Sequence, residues 1–319
     1  MQAARELIQD QLEAVNNRII EKLQSRVKLV ENIGEYLVSA GGKRLRPVLA
    51  LLAGKITGFA PQHIDFATVI EFIHSATLLH DDVVDLSELR RGRPTANANF
   101  GNASSVLVGD FIYSRAFQIL VELGSMPVMK LLSDTTNQIA EGEVLQLAKA
   151  GDPECSIEDY LQVITDKTGI LFAAAMKGSA ILSDASEEIQ QALYDFGMNL
   201  GIAFQLADDA LDYQGDANLI GKNVGDDLAE GKPTLPLIKA MELGTPDEKA
   251  VVYDAIQNKT KENLNHIINI TQKTGAIEIT YQLALDYIKQ AKTALSIIEP
   301  SAYTQALAEL ADFAAGRQS

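Results

Sequence analysis

Apolar residues recur at helical spacing along almost the entire chain. In the first stretch, Leu7, Leu12, Val15, Ile19 and Leu23 follow one another every three to five positions, which places them on one face of an amphipathic helix. Strand-like alternation is nowhere sustained, and the pattern breaks where Gly, Pro and Asp gather. Further helices are predicted over 61–85, 103–123, 127–148, 156–182, 186–213, 234–242, 247–271, 275–297 and 301–315.

The chain carries no sign of an internal domain boundary. Its 319 residues contain neither a Pro/Ser-rich nor a Gly/Ser-rich linker, and no short repeat period indicates a solenoid. The sequence therefore predicts an all-α fold in which residues 1–319 form a single domain, a compact helical bundle.

The charge balance of the chain is strongly acidic. There are 43 acidic and 27 basic residues, a formal net charge of −16, which repels nucleic acid and anionic membrane surfaces. No run of about 18 apolar residues occurs, so we expect no membrane span. The single cysteine, Cys155, has no disulfide partner in the chain, and the first residues lack the pattern of a secretory signal. We therefore expect a cytoplasmic protein in which anionic ligands meet a local basic patch or a bound cation.

Two aspartate-rich motifs of identical spacing stand near the C-terminal ends of long apolar stretches. They are "DDVVD", with Asp81, Asp82 and Asp85, and "DDALD", with Asp208, Asp209 and Asp212. Residues four apart lie on the same face of a helix, so the outer two carboxylates of each motif point to one place. Mg²⁺ would relieve their repulsion, because it prefers oxygen ligands and keeps positions for water and phosphate oxygens. A solvated helix end would explain one copy, but two copies on apolar helices favour a metal site that binds a diphosphate.

Basic residues are clustered beside glycines and after the acidic motifs. "GGKRLRP" places Lys43 and Arg46 after two glycines, next to a helix start at Pro47, and this combination is typical of an anion cradle. Basic residues also follow the acidic motifs at a short distance: Arg90, Arg91, Lys222 and Lys232. Simple ion pairing is the alternative for each of them. Because acidic and then basic residues occur in succession twice, binding of phosphate groups is favoured.

Polar residues also interrupt the apolar helical stretches: His74, Lys167, Thr168 and Gln205. His74 lies seven residues before the first aspartate, two turns away on nearly the same face. The alternatives are a hydrogen-bonded core position for the histidine, a snorkelling side chain for the lysine, and helix-internal hydrogen bonds for the other two. The "HD" pair at His80 would suit a metal phosphohydrolase, but that chemistry requires further histidine ligands, and only His63 and His266 remain.

Eight segments, in this order, resemble the trans-type polyprenyl diphosphate synthases: "GGKRLRP", "LLHDDVVD", "RRGRPTAN", "GDFIYSRAF", "EGEVLQL", "DKTGILF", "AFQLADDALDY" and "GKNVGDDLAEGKPTLPLI". The resemblance implies a homodimeric bundle of α-helices around a central cavity, with the two acidic motifs facing each other at its mouth. Mg²⁺ ions held there would bridge an allylic diphosphate. As diphosphate leaves, the double bond of isopentenyl diphosphate would attack the allylic cation, and the released diphosphate would take the proton that restores a double bond, so no nucleophilic side chain is needed.

The resemblance also assigns roles to individual residues of this chain. The metal ions would be held by Asp81, Asp85, Asp208 and Asp212, with support from Asp82 and Asp209. Isopentenyl diphosphate would bind Lys43, Arg46, His74 and Arg91. The allylic diphosphate would meet Arg90, Lys167, Thr168, Gln205, Lys222 and Lys232. These motifs show no departure from the family pattern that suggests an inactive subunit.

The size of the product would depend on two positions before the first motif, which are occupied by Ala76 and Thr77. Bulky aromatic residues stand there in short-chain relatives and block growth, so these small residues favour a long product. A class I terpene cyclase, a non-catalytic partner subunit and a ligand-free helical bundle are the alternatives. The sequence fixes neither the number of isoprene units, nor the allylic starter, nor a role for residues 241–319.

Overall fold

The computed structural model describes residues 1–39, 42–90, 92–214 and 224–316, and within these ranges almost all regular structure is helical. The first half contains α1 (Gln2–Glu6), α2 (Gln9–Lys22), α3 (Lys28–Ser39), α4 (Leu45–Thr57), α5 (Gln62–Val84), α6 (Ala96–Phe100), α7 (Asn102–Leu123) and α8 (Met126–Lys149). The second half contains α9 (Ile157–Ile164), α10 (Ile170–Leu182), α11 (Glu187–Leu211), α12 (Asp226–Ala229), α13 (Leu235–Leu243), α14 (Pro246–Asn258), α15 (Leu264–Lys273), α16 (Ala276–Ala294) and α17 (Ala302–Ala315).

The all-α prediction is confirmed. The only strands within the described ranges are β1 (Leu89–Arg90) and β2 (Arg93–Pro94), which pair antiparallel directly after α5. Most predicted helices end within two residues of the observed bounds. The long stretch 156–182 is interrupted by a π-helical turn over Thr165–Gly169, which we call the π turn, and 275–297 ends in a 3₁₀ turn over Leu295–Ile297.

The prediction of one helix over 247–271 is wrong. α14 ends at Asn258, where Lys259 adopts a left-handed conformation with φ of 51°. The amide of Lys259 then donates to the carbonyl of Ile256 at 3.3 Å, and the amide of Thr260 donates to the carbonyl of Ala255 at 3.1 Å, a pair of bonds that closes a helix end. No glycine or proline marks this break in the sequence.

The chain divides into two compact units, each assembled from three separate segments. Unit 1 comprises Met1–Thr136, Leu171–Gly197 and Ala294–Leu310. Unit 2 comprises Asn137–Ile170, Met198–Thr293 and Ala311–Ser319. None of the described helices is long and apolar enough to cross a membrane.

In unit 1, α5 packs against α2, α4 and α7. Most of its residues are buried, Phe66, Ile70 and Phe72 among them. Burial of such side chains contributes roughly 1.5–3 kcal/mol each. A helix with apolar residues on every side is stable only inside a protein, so the sequence of α5 places it in the core and brings its C-terminal aspartates to the core's edge.

In unit 2, a second core surrounds the end of α11 and helices α13 to α16. It contains Tyr213, Leu237, Ile256 and Ile267, all almost completely inaccessible to solvent. The start of α14 is fixed by a capping box in which Thr245 and Glu248 bond to each other's backbone amides, with proline in the first turn. This core holds the C-terminal end of α11, which carries the second acidic motif.

Candidate active site

The first acidic motif lies at the C-terminal end of α5, where the helix dipole disfavours negative charge. Asp81 and Asp85 are half-buried, and Asp82 is buried. Asp85 caps the helix, and its amide donates to the carbonyl of Asp81 at 2.7 Å. The last turn contains no basic residue. The carboxylates therefore lie at the negative end of the helix dipole, which adds to the repulsion among them.

Arg90 compensates part of this charge from the β hairpin. Its Nε and Nη2 both donate to Asp82 Oδ1, at 2.9 and 2.7 Å. Burial acts to lower the pKa of the guanidinium, but the hydrogen bond to Asp82 and the charges of Asp82, Asp81 and Asp85 outweigh it and raise that pKa. Arg90 therefore stays charged, and it holds the middle aspartate of the motif. The predicted ligand Arg91 lies outside the described residues.

The basic cluster before α4 approaches the middle of α5. Arg46 Nη1 lies 3.2 Å from His74 Nε2, and its guanidinium stacks on the ring of Phe172, 4.6 Å from the centroid. Lys43 is exposed two residues before the helix begins. Thus Arg46 and His74, predicted to share one ligand, are brought into contact by the fold.

The two positions expected to limit product size lie on α5, one turn before the acidic motif. Ala76 is completely buried. Thr77 is half-buried, and its hydroxyl donates to the carbonyl of His74 at 2.9 Å. The threonine hydroxyl is thus satisfied within its own helix, so these two positions present small and largely apolar surfaces.

The second acidic motif repeats the arrangement of the first at the end of α11. Asp208 is half-buried, whereas Asp209 and Asp212 are buried. Asp212 Oδ2 accepts from the amide of Asp227 at 3.3 Å. The last turn of α11 again carries no basic residue. Both motifs therefore place carboxylates against the negative end of a helix dipole.

Asp209 is held by two neutral donors. Tyr160 Oη donates to its Oδ2 at 2.6 Å, and Gln205 Nε2 donates to its Oδ1 at 2.7 Å. Burial, together with the charge of Asp227, raises the pKa of Asp209 to about 7, although both hydrogen bonds act in the opposite direction. Burial and the charge of Asp209 likewise raise the pKa of Tyr160 well above its usual value. Tyr160 therefore remains a proton donor to Asp209 at neutral pH.

The π turn presents Lys167 and Thr168. The Thr168 hydroxyl donates to Gln205 Oε1 at 3.1 Å, and Lys167 Nζ lies 2.8 Å from Glu143 Oε2 on α8. The turn is anchored by Asp166, which accepts from Gln138 Nε2 at 2.6 Å and from Gln162 Nε2 at 2.7 Å. A π turn adds one residue to the helical register and often occurs at functional sites. Here it turns two predicted substrate-binding residues toward α8 and α11.

Of the lysines after the second motif, Lys232 forms an ion pair with Glu230, and Lys222 lies outside the described residues.

Sequence reasoning missed Tyr160, Asp166 and the anchoring role of Glu143. Tyr160 precedes its partner Asp209 by 49 positions, so no local pattern joins them. Glu143 belongs to the "EGEVLQL" segment, which contributed to the family resemblance, but no role was assigned to its residues. The alternative of a helix-internal hydrogen bond is correct for Gln205, which bonds Asp209 four residues away, but Thr168 bonds across to another helix.

The donor set fits a hard divalent cation, although no group of three or more His, Cys, Asp or Glu side chains in the described ranges is arranged to hold a metal ion alone. Mg²⁺ does not require such a group, because it typically takes one or two protein carboxylates and fills its remaining positions with water and substrate phosphates. Each acidic motif offers two outer carboxylates, and its middle carboxylate is engaged by protein donors. The residues therefore suit a cation that is shared with a phosphorylated ligand.

Comparison with known proteins identifies one family. Residues 27–272 match the family model described as polyprenyl synthetase. The chain is 47% identical over 319 residues to the octaprenyl diphosphate synthase of Escherichia coli (strain K12), covering 99% of both chains. It is 44% identical over 306 residues to the all-trans-nonaprenyl-diphosphate synthase (geranyl-diphosphate specific) of Rhodobacter capsulatus, covering 95% of this chain and 94% of that protein.

This chain is also similar to a solved structure. The polyprenyl synthase of Caulobacter crescentus CB15, crystallised with calcium and isoprenyl diphosphate, superposes with a TM-score of 0.96 at 43% sequence identity. The superposition covers 100% of this chain and 98% of that one.

Proposed function

The chain belongs to the polyprenyl synthetase family, and from that premise we propose that this prenyltransferase is a Mg²⁺-dependent octaprenyl diphosphate synthase. It would add isopentenyl diphosphate repeatedly to an allylic diphosphate, with farnesyl diphosphate as starter, and release an all-trans chain for a quinone side group. The doubled acidic motif is the observation that carries the proposal. Each copy places two carboxylates, four residues apart, against the negative end of a helix.

We assign metal binding to Asp81, Asp85, Asp208 and Asp212. When bound there, Mg²⁺ would supply charge stabilisation to a departing diphosphate. Asp82 and Asp209 would act differently, because hydrogen bonds from Arg90, and from Tyr160 and Gln205, already engage their carboxylates. Their role would be to fix the end of each helix and so to orient the outer carboxylates.

The basic and polar residues would bind and orient the two substrates. The guanidinium and ammonium groups of Arg46, Arg90 and Lys167 provide charge-assisted donors for diphosphate oxygens. The Thr168 and Gln205 oxygens, 3.1 Å apart, offer negative dipole ends where an allylic cation would develop. The sequence predictions for Lys43, His74, Arg91, Lys222 and Lys232 are kept in this proposal as substrate contacts.

The small residues of α5 support a long product. A chain that grows along α5 from the acidic motif meets Ala76 and Thr77 one turn away, and neither carries an aromatic ring. The 23 residues of α5 span about 34 Å at about 1.5 Å per residue, enough to flank an extended apolar tail. Relatives named for octaprenyl and nonaprenyl products are 47% and 44% identical, and we propose the octaprenyl product.

We further propose that the enzyme is a cytoplasmic homodimer. Leu107 and Val121 on α7 are 66% and 69% exposed, and Val144 and Leu147 on α8 are 67% and 62% exposed. Long helices of water-soluble proteins rarely leave such residues uncovered at helical spacing, so a partner of the same sequence is expected to cover them. Light scattering should give twice the mass of one chain, and the mass of one chain would contradict the dimer.

The function is tested by incubating purified protein with Mg²⁺, farnesyl diphosphate and labelled isopentenyl diphosphate, and by sizing the dephosphorylated product. An eight-unit linear alcohol is expected, and no product when the metal is chelated. A cyclic hydrocarbon made without isopentenyl diphosphate would indicate a terpene cyclase, and no turnover would contradict the proposal.

Single variants test the metal assignment. Asp81→Asn and Asp208→Asn should each lower kcat by about 10²-fold or more, since each removes a carboxylate ligand of the Mg²⁺ that would stabilise the leaving diphosphate. Asp134→Asn is the matched control, because Asp134 lies exposed on α8 and, within the described part of the chain, pairs with the neighbouring Lys130 at 2.7 Å. Equal activity in all three variants would refute the assignment.

A further inference from the structure

We propose that Arg44 and Glu71 are positioning residues that set the isopentenyl diphosphate subsite. Their buried ion pair would hold the backbone before α4 in a left-handed turn, and this turn would aim Lys43 and Arg46. The inference rests on the proposed function, which places the diphosphate of that substrate on Lys43, Arg46 and His74. Neither Arg44 nor Glu71 is needed as a ligand.

The backbone of Arg44 is in an unusual place for a residue with a side chain. It has φ of 48° and ψ of 37° and stands as the N-cap of α4. An N-cap ordinarily has extended backbone, and a non-glycine residue adopts a left-handed conformation only where its surroundings enforce it. The other non-glycine residues with positive φ in the described ranges are Leu86, Asp184 and Lys259, and each follows the end of a helix, where a left-handed residue is ordinary.

The ion pair supplies the enforcement. Arg44 Nη1 contacts Glu71 Oε1 on α5, and the two side chains are only 11% and 8% exposed. A buried charge is strongly unfavourable without its partner, so the guanidinium cannot leave Glu71 to let the backbone relax. The left-handed turn and the ion pair therefore require each other.

The pair acts beside the predicted ligands on both helices. On α5, Glu71 lies one turn before His74; on the α4 side, Arg44 lies between Lys43 and Arg46. Because Arg46 Nη1 reaches His74 Nε2 at 3.2 Å, α4 and α5 are joined at two points one turn apart. The carbonyl of Arg44 also accepts from the amide of Val48 at 3.0 Å and so begins the helix. Loss of the ion pair would remove one of these two contacts. Of the two, only the contact between Arg46 and His74 would then remain.

The test compares Glu71→Gln with Asp65→Asn. Asp65 lies on the same helix and also receives an arginine from a neighbouring helix, Arg18 Nε at 2.6 Å. It stands nine residues before His74, the residue that Arg46 contacts, which is roughly 13 Å along the helix. We expect Glu71→Gln to raise KM for isopentenyl diphosphate by roughly tenfold or more, as a misplaced binding group does, with KM for the allylic diphosphate within about twofold of wild type. Asp65→Asn should change neither constant.

A second variant separates positioning from general destabilisation. Arg44→Gly accepts positive φ without strain but lacks the ion pair, and it should also raise KM for isopentenyl diphosphate alone. Adding Glu71→Gln to Arg44→Gly should change KM no further, because the carboxylate acts only through Arg44. An additive double variant, an equal rise in both KM values, or a fall in kcat alone would overturn the inference. Wild-type protein that makes no polyprenyl product would instead contradict the proposed function.

Discussion

Gly142 on α8 determines how closely that helix approaches the π turn. A Cβ atom at this position would lie 2.7 Å from Asp166 Cβ and 3.1 Å from the backbone nitrogen of Lys167. Carbon atoms in ordinary contact are about 3.5–4.0 Å apart, so Gly142→Ala requires the turn and α8 to separate by about 1 Å. Asp166 cannot retreat freely, since Gln138 and Gln162 hold both of its carboxylate oxygens.

The expected effect on stability is small, and the expected effect on activity is large. Alanine in a helix interior gains about 1 kcal/mol over glycine, whereas overpacking costs about 1–3 kcal/mol. These terms partly offset each other, so the net loss of stability is between about 0 and 2 kcal/mol. However, the π turn carries Lys167 and Thr168, and a displacement of about 1 Å in groups that orient a substrate lowers the rate on the order of 10²-fold.

The assay measures kcat and KM for both substrates together with the unfolding temperature. Gly34→Ala is the control: it also lies inside a helix, but the nearest neighbours of its Cβ would be side-chain atoms of Leu23, of which the flexible Cδ1 is nearest at 3.2 Å. We expect wild-type kcat in this control and a fall in kcat of about 10²-fold in Gly142→Ala. If Gly142→Ala folds with wild-type kcat, the reaction does not depend on the position of the π turn.

Three further predictions concern single residues. Ala76→Phe should shorten the product on chromatography; unchanged length would place the limit elsewhere. Burial raises the pKa of the Cys155 thiol to about 11 from 9.0. Alkylation at pH 8 should therefore be about 100-fold slower than for an ordinary thiol, because less thiolate is present. Labelling at the rate of an ordinary thiol would refute this prediction. Glu248 accepts hydrogen bonds from Lys273 and from the Thr245 amide, and these bonds lower its pKa to about 2 from 4.5. The stability it contributes is therefore full above pH 4.5 and lost toward pH 2, and Glu248→Gln should differ from wild type in urea unfolding only at the higher pH.

Most of the helices could be predicted because their signal is local, although α3 (Lys28–Ser39) is not among the predicted stretches. Apolar spacing reports which face of each helix is buried, and it placed the ends of α5, α7 and α8 within two residues. The break after Asn258 has no such signal, since it depends on a left-handed lysine in a position that glycine usually takes. The π turn could not be predicted for a related reason. One added residue shifts the period of the apolar positions too little to be recognised in a short segment of sequence.

In the candidate site, too, contacts within one helix could be predicted and contacts between distant segments could not. Asp81 with Asp85, and Asp208 with Asp212, are joined by helical geometry, so their spacing alone indicates a shared face. Contacts between distant segments could not be read from spacing, and these include Arg46 with His74 and Thr168 with Gln205. For these contacts the family resemblance supplied what the local pattern lacked.

The middle aspartate of each motif explains why three carboxylates occur where two would bind a cation. On a helix it points away from the outer pair, toward the protein, and there it becomes an anchor. Asp82 is anchored by a cation, Arg90, whereas Asp209 is anchored by the neutral donors Tyr160 and Gln205. The buried Asp82 is compensated by its cationic partner before any ligand arrives. Asp209 has only neutral partners, and burial raises its pKa to about 7, so protonation removes part of its charge at neutral pH. The two motifs have the same spacing, but they differ in how the middle carboxylate is neutralised: by an ion pair in the first motif, and in part by protonation in the second.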